Sequence, residues 1–81
     1  MTDKLAAARR KIDALDRRLA ALLARRFATA APLKSLKKKT TDSARERIVL
    51  ANARRWAGKK YYAAAAAVFK EIIKQSKKLQ A

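Results

Sequence analysis

The chain contains no cysteine and no histidine, which removes disulfides, thiolate nucleophiles, imidazole bases and the usual zinc ligands together. Any chemistry it performs must run on lysine, arginine, carboxylates, hydroxyls and amides. Glycine and proline occur once each, as Gly58 and Pro32, so little interrupts a sequence rich in helix-favouring alanine, leucine, lysine and arginine. No apolar run approaches the length that crosses a bilayer, and "MTDKLAAARRKIDALD" scatters charge where a secretory signal needs an unbroken apolar segment. The chain reads as cytosolic. Acids are the other scarcity, with 6 Asp and Glu against 22 Lys and Arg and a formal charge of +16. Such charge points to anionic partners. The cations are spread over the whole chain, however, and the aromatics Phe27, Trp56, Tyr61, Tyr62 and Phe69 are not interleaved with them as a base-stacking platform requires.

At 81 residues the chain is expected to form one all-α domain over 1–81. A domain this small buries only about 60 to 65% of the surface its unfolded chain exposes, so help from a second copy is expected. Three helices are the natural parse: long, short and medium. The first starts with Thr2 or Asp3 as N-cap and carries Leu5, Ile12, Leu15, Leu19, Leu22 and Leu23 at helical spacing. The second starts at "TTDS", where Ser43 and Glu46 fit a capping box, and stops near Gly58. The third runs from about Lys60 to Gln80, with Tyr62, Ala65, Phe69, Ile72, Ile73 and Leu79 as its apolar stripe.

Polar residues on these stripes carry the functional signal. Steps of four and three along the first helix bring Arg9, Arg26 and Lys37 into line with the leucines. An unpaired cation on an inward stripe is costly to desolvate. Each could snorkel, its alkyl stem packed and its head in water, but three together favour a buried anion site. On the third helix the stripe continues to Ser76 and Gln80, four apart. Either the last turn simply becomes polar, or a hydroxyl and an amide face a ligand. Arg9 and Arg26 are 17 residues apart, about 25 Å along one straight helix. They can serve one small ligand only if two antiparallel copies of the first helix lie side by side. "DSARER", residues 42–47, sets two of the scarce carboxylates, Asp42 and Glu46, around Arg45. That placement serves either the first turn of a helix or a ligand needing acceptors.

These residues resemble a known family. "RRKIDALD" at 9–16 is similar to the R-x-K-I-x-x-L-D opening of the all-helical, AroQ-class chorismate mutases. "LLARR" at 22–26 looks like the later part of their first helix, with Lys37 eleven residues beyond Arg26. "DSARE" resembles their D-x-x-R-E segment, and "FKEIIKQSKKLQ" at 69–80 their F-x-x-I-I-x-x-S-x-x-x-Q ending. The resemblance spans nearly the whole chain. It implies an intertwined homodimer with two shared sites that converts the dianion chorismate to prephenate by a Claisen rearrangement, without metal, cofactor or covalent intermediate. By position it implies Lys37 and Gln80 as donors to the ether oxygen. Arg26, and Arg9 from the other protomer, would clamp carboxylates, with Arg45 and Ser76 near the second carboxylate. Glu46 would accept from the ring hydroxyl, with Asp42 beside it.

The chain departs from the family pattern. Four residues separate Lys37 from Asp42 where about eight are expected, and Pro32 falls inside the first helix, where it removes a hydrogen bond and costs about 3 kcal/mol. A kink between Arg26 and Lys37 is expected, with Lys34 as the substitute for Lys37. The charge and the run Ala63 to Ala67 are those of a minimised or engineered member. Two alternatives stand beside the mutase. One is an isochorismate-pyruvate lyase of the same fold, in keeping with "ARRWA" at 53–57. The other is a basic helical module that binds nucleic acid through charge, with Lys37, Lys38 and Lys39 on phosphates.

Overall fold

Helix α1, Thr2–Ala30, is a single α-helix of 29 residues, about 43 Å long, and it dominates a molecule measuring 56 × 26 × 15 Å. The computed structural model describes residues 2–36 and 42–80. Beyond Ala30 the chain tightens into a 3-10 helix, Ala31–Leu36. Helix α2 spans Ser43–Ala57 and helix α3 Tyr62–Gln80. The described residues contain these helices and no strand.

The expected kink takes a particular form. Pro32 does not bend a continuous α-helix. The α-helix ends two residues before it, and Pro32 becomes the second residue of the 3-10 segment. Lacking an N–H, Pro32 cannot continue the α-helical ladder of α1, and the chain carries on in the tighter 3-10 winding instead. The new segment is tied by Ser35, whose hydroxyl donates to the Pro32 carbonyl at 2.8 Å.

The start of α2 corrects the expected capping box. The N-cap is Asp42, not Ser43: its backbone is extended and its carboxylate accepts from the Arg45 backbone N–H at 3.0 Å. The first intrahelical bond follows from Glu46 N–H to the Asp42 carbonyl at 2.9 Å. A carboxylate outbids a hydroxyl here because it also meets the positive end of the helix dipole. Glu46 is thereby released from capping duty. The far end of α2 stops as expected at Gly58, whose N–H donates to the Arg54 carbonyl at 3.1 Å. Its φ of 83° with ψ of 165° is open essentially to glycine alone. A short turn then leads into α3, with Arg55 over the Trp56 ring and Lys60 over the Tyr61 ring.

Packing is unevenly distributed. Most of it lies between α2 and α3, and the 3-10 segment and the end of α1 rest on α3. The buried apolar residues are Ala53, Ala66 and Ile72, and no large side chain among the described residues is fully buried. On α3, Phe69 and Ile73 are half-buried as the stripe requires, whereas Tyr62 and Leu79 are exposed, which corrects their assignment to the covered face. The α1 stripe differs more. From Asp3 to Leu22 every residue except Ala7 is exposed, including Leu5, Ile12, Leu15, Leu19 and Leu22. Periodicity puts these apolar residues on one face, but nothing among the described residues covers it.

Candidate functional site

Where the end of α1 meets α3, two hydrogen bonds join them. Arg26 Nη1 donates to Ser76 Oγ at 3.0 Å, and Gln80 Nε2 donates to the Ala30 carbonyl at 3.1 Å. Both bonds span 50 positions, so one helical turn along α1 matches one turn along α3 and the two helices run parallel there. Ser76 Oγ in turn donates to the Ile72 carbonyl at 2.8 Å. Ser76 and Gln80 are each only 6% exposed. The polar end of α3 is therefore a packed surface rather than a frayed last turn.

These side chains line a cavity of about 520 Å³ between α1, α2 and α3. Six sequence-predicted residues meet there: Arg26, Asp42, Arg45, Glu46, Ser76 and Gln80. The cavity also takes apolar walls from Leu22, Leu33, Val49 and Ile73. Its charges are Arg25, Arg26, Arg45 and Lys77 against Asp42 and Glu46, four cations to two carboxylates. A net cationic, partly apolar pocket with fixed hydroxyl and amide groups suits an anion that also has a nonpolar body and a hydroxyl.

Electrostatics single out Arg26. Its pKa lies below the ordinary arginine value, first because burial desolvates the guanidinium and second because the positive charge of Arg45 opposes it. The fold thus holds two guanidinium groups near one another at a desolvation cost that an anion between them would offset. Gln80 adds a second unfilled capacity, since its Oε1 is buried and accepts no hydrogen bond in the structure. Its amide nitrogen also has a second N–H beyond the one given to Ala30.

Of the two remaining predicted residues, one is placed elsewhere and the other is not described. Arg9 is exposed and lines a separate shallow depression with Leu5, Ala6, Arg10 and Asp13, toward the opposite end of α1. Lys37 lies outside the described residues. Lys34, the substitute considered for it, sits on the 3-10 segment and is not among the residues lining the cavity. The sequence reading missed Lys77. It follows Ser76 directly and lies at the margin of the stripe, four residues after Ile73 and three before Gln80. In the structure its ammonium contacts Glu46 Oε2 at 2.7 Å, with side chains 32% and 28% exposed respectively. The signal that could have found it is the release of Glu46 by an Asp42 cap.

Comparison with known proteins gives one match. The family model described as chorismate mutase type II matches residues 8–81. No curated protein and no solved structure matches significantly.

Proposed function

The chain belongs to the chorismate mutase type II family, and from that premise we propose that it converts chorismate to prephenate in a site completed by a second copy of itself. The observation that carries the reading is the Arg26–Arg45 pair in a cavity that also holds Ser76, Gln80 and the Glu46 carboxylate. Chorismate is a dianion with a ring hydroxyl, and this cavity has cations for the carboxylates and an acceptor for the hydroxyl.

The reaction is an intramolecular rearrangement, so the protein has no proton to transfer and no covalent bond to make. Its task is to hold a flexible molecule in the compact conformer and to stabilise charge that appears only in the transition state. Arg26 and Arg45 bind carboxylates, with Ser76 fixing the Arg26 guanidinium. As the C–O bond breaks, the ether oxygen gains negative charge, and preorganised donors aimed there lower the barrier. Gln80, through its second amide N–H, and Lys37 are those donors. Glu46 accepts from the ring hydroxyl. Asp42 holds the first turn of α2 so that Arg45 and Glu46 face the cavity.

Arg9 of the partner subunit supplies the remaining carboxylate contact. Two features support a paired assembly. Arg9 is far from its own cavity, and the leucines of α1 are exposed on one face. Burying the exposed half of such a side chain contributes about 1 kcal/mol, so a face of five favours association. The test is loss of the conjugated-diene absorbance of chorismate on incubation with the chain. Saturable turnover that Arg26→Ala abolishes is the expected result, and its absence in the wild type overturns the reading. Isochorismate, with pyruvate measured, separates the mutase from a lyase of the same fold.

A further inference from the structure

Glu46 is in an unusual state for a ligand-binding carboxylate. Its Oε2 is buried and 2.7 Å from the Lys77 ammonium, yet it receives no well-aligned hydrogen bond in the structure. The contact is a charge pair that leaves the oxygen's hydrogen-bonding capacity unfilled. A carboxylate oxygen held in this way still has a lone pair to satisfy. Lys77 and Glu46 both line the cavity, and they tie α3 to the first turn of α2. Glu46 is free to make this contact because Asp42, one turn earlier, takes the capping role.

We infer that Lys77 is a positioning residue: it fixes the Glu46 carboxylate in one rotamer to accept the hydroxyl of the substrate ring. The inference rests on the mutase reading above and deepens it, since it assigns the selection of a hydroxylated ring to the Lys77–Glu46 pair. The ammonium acts through Glu46 and does not itself touch the reacting atoms. Two flexible side chains would otherwise sample many rotamers, and a 2.7 Å ion pair that is two-thirds or more buried restricts both. A discriminating site gains most from a polar group that goes unpaired when the wrong ligand binds. With Lys77 in place, Glu46 is such a group.

The experiment compares wild type, Lys77→Met, Lys77→Gln, Lys77→Arg, Glu46→Gln and the Lys77→Met/Glu46→Gln double variant, each checked for helix content by circular dichroism. Chorismate turnover gives KM and kcat, and a chorismate analogue lacking the ring hydroxyl gives a competitive inhibition constant. Lys77→Met is expected to raise the KM for chorismate about tenfold, with a smaller change in kcat. The analogue's inhibition constant should stay within about twofold of wild type, because no hydroxyl is there to be placed. The double variant should be little worse than Glu46→Gln alone, and Lys77→Arg should recover much of the loss. Lys77→Gln serves if the methionine variant folds poorly. Equal weakening of chorismate and analogue, or fully additive losses in the double variant, overturns the inference while leaving the mutase reading intact. Absence of wild-type turnover overturns both.

Discussion

Arg26 and Ser76 lie 50 positions apart and meet at 3.0 Å, the guanidinium donating to a hydroxyl that itself donates to the Ile72 carbonyl. The serine is thus a relay between the α3 backbone and a cation on α1, and it sets where the cation points. Ser76→Ala removes the acceptor without changing the helix. Stability should fall by about 1 kcal/mol, the net value of one such bond. The ratio kcat/KM for chorismate should fall about tenfold, because a misdirected guanidinium loses transition-state contact. Thermal denaturation and steady-state kinetics check the two effects. A variant as active as wild type would show that Arg26 is oriented by something else.

Arg26 itself should separate stability from activity. Burial and the charge of Arg45 both lower its pKa, so its charged form is disfavoured by folding. Arginine remains protonated across the neutral range, and this cost is therefore present at every pH from about 5 to 9. The sign is that of a base with a depressed folded pKa: stability would be regained only in strong alkali. Arg26→Met removes the desolvated charge and keeps much of the side-chain volume. Its melting temperature should equal or exceed that of wild type while turnover is lost, a trade-off typical of a binding site built at the expense of stability. A large drop in melting temperature would mean that the Arg26–Ser76 bond outweighs the desolvation.

Several of these features are legible in the sequence. Steps of four and three place Ser76 and Gln80 on the inner line of α3 and Arg26 on that of α1, and a single glycine marks the end of α2. The rest needed three dimensions. The motifs D-x-x-R and S-x-x-E are offset by one residue, so spacing cannot say whether Asp42 or Ser43 caps α2. That choice determines whether Glu46 is occupied or free. The contact of Lys77 with Glu46 is invisible to periodicity because the two lie on different helices. Along α1 the pattern predicts an apolar face correctly and says nothing of what covers it. Pro32 announces a break, but only the structure shows that the break is a passage into a 3-10 helix.

The paired assembly makes a quantitative prediction. If each site takes Arg26 from one chain and Arg9 from the other, Arg9→Ala and Arg26→Ala should each be inactive alone. When the two variants are unfolded together and refolded, half the dimers are mixed, and each mixed dimer carries one intact site and one doubly damaged site. Activity should return to about a quarter of wild type. No recovery on mixing would place both arginines in the same chain's site. Sedimentation supplies a second check: Leu15→Glu, on the exposed face of α1, should yield monomers and lose turnover together.

Lys34 and Lys37 provide the sharpest test of how Pro32 shapes the site. Lys34 belongs to the 3-10 segment that Pro32 initiates, and it is not among the residues lining the cavity. Lys37 follows the last described residue of that segment. The tighter winding of a 3-10 helix, about 2.0 Å of rise and 120° of turn per residue, carries the chain farther and rotates it more than an α-helix of equal length. Six such residues advance the chain about 3 Å and turn it about 120° beyond the α-helical path, a shift on the order of one lysine side chain, which an extended ammonium can span. Lys37→Ala should therefore cost two or more orders of magnitude in kcat, the scale expected when one preorganised donor to a developing oxyanion is lost. Lys34→Ala should leave kcat within about threefold of wild type. The reverse ranking would mean that the 3-10 turn has moved the catalytic ammonium back by one turn and that Lys34 has taken its place.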